Sequence, residues 1–207
     1  MNPVQLLQAK LELKFDGIIG KKTFDAMQKE WNLNGIQLAH FLGQCDHETG
    51  GFRIFEENLR YSKEALMKVF PNRYNPEKAK NHEYKAQLIG NTVYGNRMGN
   101  VNSNDGFNFR GRGCIQLTGR NNYTQFAEWV KDMSIIDSPG QVADKYAFDS
   151  AIWFFQKNNI FKLCEDISEK NIGVISKAVN LGNPFTIRVP NGLKDRIEKT
   201  IKYSKFI

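Results

Sequence analysis

The feature that most constrains the fold is an apolar helical stripe that runs into a glutamate and then two glycines. The stripe has the i, i+3, i+4, i+7 spacing of a buried helix face and consists of Leu38, Phe41, Leu42 and Cys45. The Gly-Gly pair at 50–51 stops the helix, because glycine takes the left-handed cap conformation without steric cost. The sequence therefore predicts a buried helix whose last turn carries Glu48.

Glu48 in that position is a candidate general acid. The negative end of the helix dipole and apolar neighbours that withhold water both favour a protonated carboxyl. A carboxyl that is protonated at neutral pH is what general acid catalysis needs. The pair His47-Glu48 also begins a zinc-protease motif, but Gly51 stands where that motif needs its second histidine. The zinc interpretation is excluded.

A second carboxylate follows soon after, at Glu56 or Glu57. Adjacent residues of an extended segment point in opposite directions, so we expect only one of the two to face Glu48. Two carboxyls in unequal environments are the minimal equipment for cleaving a glycosidic bond. The alternative is a solvated acidic surface, since a chain with 22 acidic residues also brings two glutamates together by chance.

The composition excludes several classes of protein. The 207 residues suit one large domain or two lobes, and 41% hydrophobic residues indicate a globular protein. A net charge of +7 suggests an anionic partner. Lys and Arg are nevertheless spread along the chain, which argues against a nucleic-acid-binding arm.

The cysteines and the N-terminus bear on the compartment. The three cysteines, an odd number in apolar contexts, are interpreted as buried and reduced. The chain has no basic-then-apolar export signal and no apolar run of membrane-spanning length. We expect a soluble cytoplasmic monomer without stable membrane insertion, which reaches a target outside the membrane only after something else releases it.

Residues 1–32 form a separate segment in this interpretation, with two short helices flanking a turn. Gly17 and Gly20 lie too close together for a phosphate-binding loop, which needs four residues between its glycines. The stretch from Leu7 to Met27 resembles about half of a small peptidoglycan-binding module. The alternative is a helix-turn-helix packed on the main domain.

The rest of the chain is mostly helical in pattern. Helices are predicted at 62–70, from Pro76 towards Ile89, at 122–132, 144–158 and 170–181, and from about Asn191. The segment 91–110 reads as a loop rich in Gly and Asn. The alternation from Arg110 to Thr118 predicts one short strand.

Several segments, in order, resemble glycoside hydrolase family 19. They are 39–44, 47–52 (His-Glu-Thr-Gly-Gly-Phe), 56–62 (Glu-Glu-Asn-Leu-Arg-Tyr-Ser), 93–100, 109–118, 121–123, 176–180 and 192–196. The resemblance covers roughly residues 33–200. The absence of the longer loops and disulfides of plant chitinases makes the chain look like a bacteriophage endolysin.

This resemblance implies an α+β, predominantly α-helical, lysozyme-like two-lobed fold with a small β element and a central cleft. Residues 33–207 would be the catalytic domain. The implied reaction is hydrolysis of β-1,4 bonds of bacterial peptidoglycan with inversion, which needs carboxyls about 6.5–9.5 Å apart. No cofactor or metal is implied. A chitinase and a non-catalytic glycan-binding protein are the alternatives.

The resemblance also implies residue roles. Glu48 matches the general acid, Glu57 the general base with Glu56 as fallback, and Thr118 the hydroxyl that holds the attacking water. The implied substrate-binding residues are Gln116, Asn122, Tyr123, Asn180 and Arg196, the last lying near the carboxylates. A structural polar role is the alternative for each. The chain departs from the family at 181–184, where glycines often follow the asparagine that Asn180 matches.

Overall fold

The computed structural model describes residues 1–207, which form mainly helices. The α-helices, numbered in chain order, are α1 (Pro3–Lys10), α2 (Lys21–Trp31), α3 (Gly35–Glu48), α4 (Lys63–Val69), α5 (Pro76–His82), α6 (Ala86–Tyr94), α7 (Asp105–Asn108), α8 (Arg120–Val130), α9 (Ser134–Asp137), α10 (Ala147–Lys157), α11 (Glu169–Leu181) and α12 (Leu193–Ser204). Two 3-10 helices span Pro139–Ala143 and Ile160–Leu163. The predominantly helical prediction is confirmed.

The predicted β element is not confirmed. Between Arg110 and Thr118 the chain makes only isolated bridges, which pair Arg112 with Glu56 and with Leu117. Positive φ angles at Gly113 (78°) and Gln116 (57°) interrupt the extended backbone that a strand requires.

Helix α3 ends where the sequence predicts. Asn34 and Gln37 form a reciprocal capping box at its start, so two otherwise unpaired N–H groups have acceptors. Gly50 and Gly51 follow its end with φ angles of 58° and 85°. Glu48 is its last residue, and the stripe that precedes it is fully buried.

The chain divides into two compact units. The first unit comprises residues 1–55, 113–115 and 143–207. Its core combines residues of α1, α2, α3 and α10 with parts of α11 and α12. Residues 1–32 therefore share the core of this unit through Val4, Leu7, Phe24 and Met27. A wall-binding role for them stays a prediction.

Two helices of the first unit approach very closely. A Cβ atom on Gly43 would lie 2.1 Å from Oγ1 and 2.8 Å from the backbone N of Thr200, so only glycine permits this contact of α3 with α12. Nearby, the buried carboxylate of Asp46 accepts a 2.6 Å hydrogen bond from Tyr203 and pairs with Lys199 at 3.0 Å. These contacts fix α12 along α3.

The second unit comprises residues 56–112 and 116–142. One core cluster of this unit consists of Leu59, Leu66, Tyr74, Ala79, Ile89 and Val93. The helix predicted from Pro76 towards Ile89 is in fact two helices, because Tyr84 between them has a φ angle of 56°. A central cleft stays a prediction.

Two further predictions concern the cysteines and membrane-spanning segments. Cys45, Cys114 and Cys164 are all free and buried, as the apolar contexts predicted. None of the helices is both long and apolar enough to cross a bilayer.

Candidate functional site

In the first unit, Glu48 is held by one cation. The guanidinium Nη2 of Arg196, from the first turn of α12, donates to Glu48 Oε1. The Glu48 side chain is 22% exposed, whereas the Arg196 side chain is 1% exposed. Glu48 is thus a partly accessible carboxylate on a buried arginine, and its Oε2 has no protein hydrogen-bond partner.

Arg196 is itself fixed by two further acceptors. Its Nη1 donates to Gln44 Oε1 at 2.6 Å and its Nε donates to the carbonyl of Asn191 at 2.9 Å. Gln44 in turn donates to the hydroxyl of Ser176 at 3.1 Å. This chain of buried polar groups satisfies all its members, so Arg196 is rigidly aimed at Glu48.

The surroundings of Glu48 are more polar than the sequence indicated. A helix-end position and apolar neighbours were expected around its carboxyl, and the guanidinium of Arg196 contacts it as well. The position of Arg196 beside this carboxylate agrees with the resemblance. The Arg196 side chain is almost wholly buried, and a substrate-binding role for it stays a prediction.

A second link joins the same two helices. His47 Nδ1 lies 2.5 Å from Asp195 Oδ2. Gly192, with φ at 68°, lies under the imidazole ring, where a Cβ atom would come within 2.1 Å of His47 Cε1. The His47–Asp195 contact therefore sets the start of α12, which carries Arg196.

Asn180 supports the same segment. Its Oδ1 accepts a 3.0 Å hydrogen bond from the backbone N of Asn191, whose carbonyl binds Arg196. The structure thus brings Glu48, Arg196 and Asn180 together in the first unit. Contact of Asn180 with substrate stays a prediction.

In the second unit, Glu57 is held by neutral donors. The hydroxyl of Tyr94 lies 2.7 and 2.9 Å from its two carboxylate oxygens. The backbone N of Gly111 lies 3.4 Å from Oε2, and the backbone N of Glu57 donates to the Gly111 carbonyl at 2.9 Å. Glu57 is half-buried and has no cationic partner.

The neighbouring Glu56 is held quite differently. Its carboxylate accepts from Arg112 Nε at 2.6 Å and from Arg110 Nη2. Arg112 is almost fully buried, with 4% of its side chain exposed. The two adjacent glutamates therefore point to different partners, as expected for an extended segment, and Glu56 is committed to a pair of arginines.

Thr118, Gln116 and Asn122 lie in the same unit as Glu57. Thr118 donates through Oγ1 to the Gln116 carbonyl at 2.8 Å, and Asn122 donates to the Thr118 carbonyl at 2.9 Å. A Cβ atom on Gly111 would lie 2.7 Å from Gln116 Oε1 and 3.5 Å from Thr118 Oγ1. Glu57 and Thr118 thus approach the same glycine, while the amide of Asn122 serves the backbone.

Tyr123 does not lie where the resemblance implied. It is fully buried, donates to the Arg110 carbonyl at 2.8 Å and accepts from Arg112 Nη1 at 3.2 Å. Burial, which raises its pKa to about 12, leaves no ring surface for a sugar. The prediction that Tyr123 binds substrate is wrong. Its hydroxyl has a structural role, which was the alternative.

Tyr94, Gln44 and Ser176 were not predicted to take part in the site. Tyr94 stands 37 positions from its partner Glu57, and no spacing rule connects residues so far apart. Burial first, and then the charge of Glu57, raise the pKa of Tyr94, so its hydroxyl remains a donor. The chain has no cluster of three or more His, Cys, Asp or Glu side chains arranged to hold a metal ion.

Comparison with known proteins identifies the family of the chain. No protein-family model matches it. A protein of Haemophilus influenzae described as a "glycosyl hydrolase family 19 domain-containing protein" is 37% identical over 161 residues, which cover 75% of this chain and 76% of that protein. The chain belongs to glycoside hydrolase family 19. It is accordingly a glycoside hydrolase.

Solved structures give the fold. The crystal structure of a chitinase C variant matches 99% of this chain and 91% of its own, with a TM-score of 0.54 and 16% sequence identity. Chitinase C from Streptomyces griseus matches 83% of this chain and 59% of its own, with a TM-score of 0.48 and 18% identity. The first of these shows that this family 19 member has a chitinase-like fold.

Proposed function

We propose that this family 19 enzyme hydrolyses β-1,4 bonds of bacterial peptidoglycan, as a phage-type lysin, with inversion at the anomeric carbon. The observation that carries the proposal is the unequal treatment of two carboxylates. Glu48 is held by a buried cation through one oxygen, and Glu57 is held by neutral donors. Unequal environments are what separates an acid from a base in a glycosidase.

Glu48 is the general acid in this proposal, as its place in the His-Glu-Thr segment implies. Arg196 binds Oε1 only, which leaves Oε2 to carry the proton that passes to the leaving glycosidic oxygen. Loss of that proton leaves a carboxylate, and Arg196 stabilises its charge. The ion pair therefore supports the product side of the proton transfer.

Glu57 is the general base. Its Oε2 lies beside the backbone N of Gly111, and Thr118 Oγ1 approaches the same glycine. Thr118 uses its proton in a bond to the Gln116 carbonyl, so its oxygen lone pairs are left to accept from a water. That water attacks the anomeric carbon while Glu57 takes its proton.

Peptidoglycan is preferred to chitin on electrostatic grounds. A net charge of +7 favours encounter with an anionic polymer, and this advantage falls with added salt. The proposed course is synthesis in the cytoplasm of a bacterial host as a monomer, release by another factor, and action on the wall. The proposal requires neither nucleic acid nor membrane insertion.

The test is product analysis. Purified sacculi are digested with the enzyme and the new reducing ends are identified by mass spectrometry, with Glu48→Gln as the control for contaminating activity. Reducing muramic acid is the expected product. Reducing glucosamine, or intact sacculi after prolonged digestion, contradicts the proposal.

A chitinase is the second candidate, because the structural neighbour with the TM-score of 0.54 is a chitinase C by name. Chitooligosaccharides in place of sacculi separate the two, since a chitinase cleaves them and leaves sacculi intact. A glycan-binding protein without activity is the remaining alternative. In that case the unaltered protein would form no product, and Glu48→Gln would bind glycan with unchanged affinity.

A further inference from the structure

We infer that Tyr94 is a positioning residue that holds the carboxylate of Glu57 in the orientation needed for a general base, an inference that rests on the proposed function. A single phenol hydroxyl lies within hydrogen-bond distance of both carboxylate oxygens, at 2.7 and 2.9 Å. It is the only side chain that bonds to this carboxylate. By contrast, Glu56 next to it has two arginines.

Tyr94 is held in place from its backbone side. It is the last residue of α6, and its carbonyl accepts a 2.9 Å hydrogen bond from the side chain of Asn100. Its ring packs against the core of the second unit. The hydroxyl therefore has a fixed position, and the entropy of ordering it is lost on folding and not during catalysis.

The hydroxyl orients the carboxylate. A donor shared between two oxygens fixes the plane of the carboxyl group, with Oε2 beside Gly111 N. Because the phenol is neutral, Glu57 is held in this orientation without an ion pair of its own.

The test compares two single-hydroxyl deletions in one core. Tyr94→Phe removes the hydroxyl from Glu57. Tyr74→Phe is the matched control, because Tyr74 packs in the same core and its hydroxyl binds His82 Nδ1 at 3.3 Å. Both variants are assayed on the β-1,4 glycan that the wild-type enzyme cleaves, and their melting temperatures are measured.

The expected result is a fall in kcat of about 10- to 100-fold for Tyr94→Phe, with KM changed by less than about 3-fold. Without its donor the carboxylate rotates among several orientations, so the attacking water meets it less often in the productive one and the loss falls on kcat. Tyr74→Phe leaves kcat unchanged.

A double-mutant cycle separates this role from a structural one. If Tyr94 acts through Glu57, Tyr94→Phe causes no further loss in a Glu57→Gln background. Losses in kcat that multiply in the double variant, or a loss that matches the unfolded fraction, would each overturn the inference. If the wild-type enzyme cleaves no glycan, the proposed function has failed. If the wild-type enzyme is active and Tyr94→Phe has the same kcat, only the inference about Tyr94 has failed.

Discussion

The two candidate carboxylates are positioned by opposite means. Glu48 ends a long buried helix and is bound by Arg196, whose position depends on the packing of α12 against α3. Glu57 lies in an extended segment and is bound by Tyr94 and a backbone N–H. One environment combines a buried cation with tertiary helix packing, and the other combines neutral donors with local turns.

The difference suits the two roles in the proposed mechanism. In that mechanism a charged partner stabilises Glu48 after it has given up a proton, whereas neutral donors leave Glu57 able to accept one. The Glu56 carboxylate has two arginines instead. A base with two cationic partners would be a poor proton acceptor, so our proposal gives the chemical role to Glu57 and a structural role to Glu56.

The largest expected effect belongs to Glu48. Glu48→Gln removes the transferable proton and keeps a group of similar shape, so we expect kcat to fall about 10³-fold with the fold intact. The measurement is release of reducing ends, alongside circular dichroism. Glu198→Gln is the control, because Glu198 lies in α12 with 64% of its side chain exposed. Equal activity of the two variants would remove Glu48 from the chemistry.

The adjacent glutamates supply the next test. Glu57→Gln should lower kcat about 10²-fold or more with little change in melting temperature. Glu56→Gln should do the reverse, since it leaves the buried Arg112 short of a partner, and should lower the melting temperature by a few degrees. Steady-state kinetics and thermal melts are measured on both. The opposite pattern would make Glu56 the base.

Arg196 tests the dependence of Glu48 on tertiary packing. Arg196→Met deprives Glu48, Gln44 and the Asn191 carbonyl of their donor, and we expect a loss of about 3 kcal/mol in the free energy of unfolding. Chemical denaturation measures it. Arg188→Met, at an exposed position in the same unit, should change stability by less than about 0.5 kcal/mol. If the two variants are equally stable, the buried network does not hold α12.

The same contrast explains what could be predicted from the sequence. Helix α3 and the position of Glu48 followed from a periodic stripe and a glycine stop, which are local signals. The partners of Glu57 did not, because Tyr94 lies on another helix and nothing local marks it. Tyr123 was misassigned since sequence cannot distinguish an exposed ring from one buried beneath Arg112. The predicted strand does not form, because Gly113 and Gln116 take positive φ angles that the sequence alone does not indicate.

Two acids away from the site, one in each unit, have pKa values shifted in opposite directions. Replacing them should give the smallest effects on stability. The hydrogen bonds of Arg120, followed by backbone N–H groups, lower the pKa of Asp105 from 3.8 to about 2. Since the folded pKa lies below the unfolded one, its stabilisation is present above about pH 4 and is lost as the pH falls towards about 2. We expect Asp105→Asn to cost about 2 kcal/mol near neutral pH, and this difference from wild type to vanish at the acid end.

In the first unit, burial raises the pKa of Asp149 by more than Lys10 lowers it. Its charged form is therefore penalised on folding, so Asp149→Asn should be no less stable than wild type near neutral pH. Urea unfolding across the pH range measures both variants. If Asp105→Asn kept a constant deficit at every pH, its partner Arg120 would be contributing packing and not charge, and the contrast in sign between the two acids would fail.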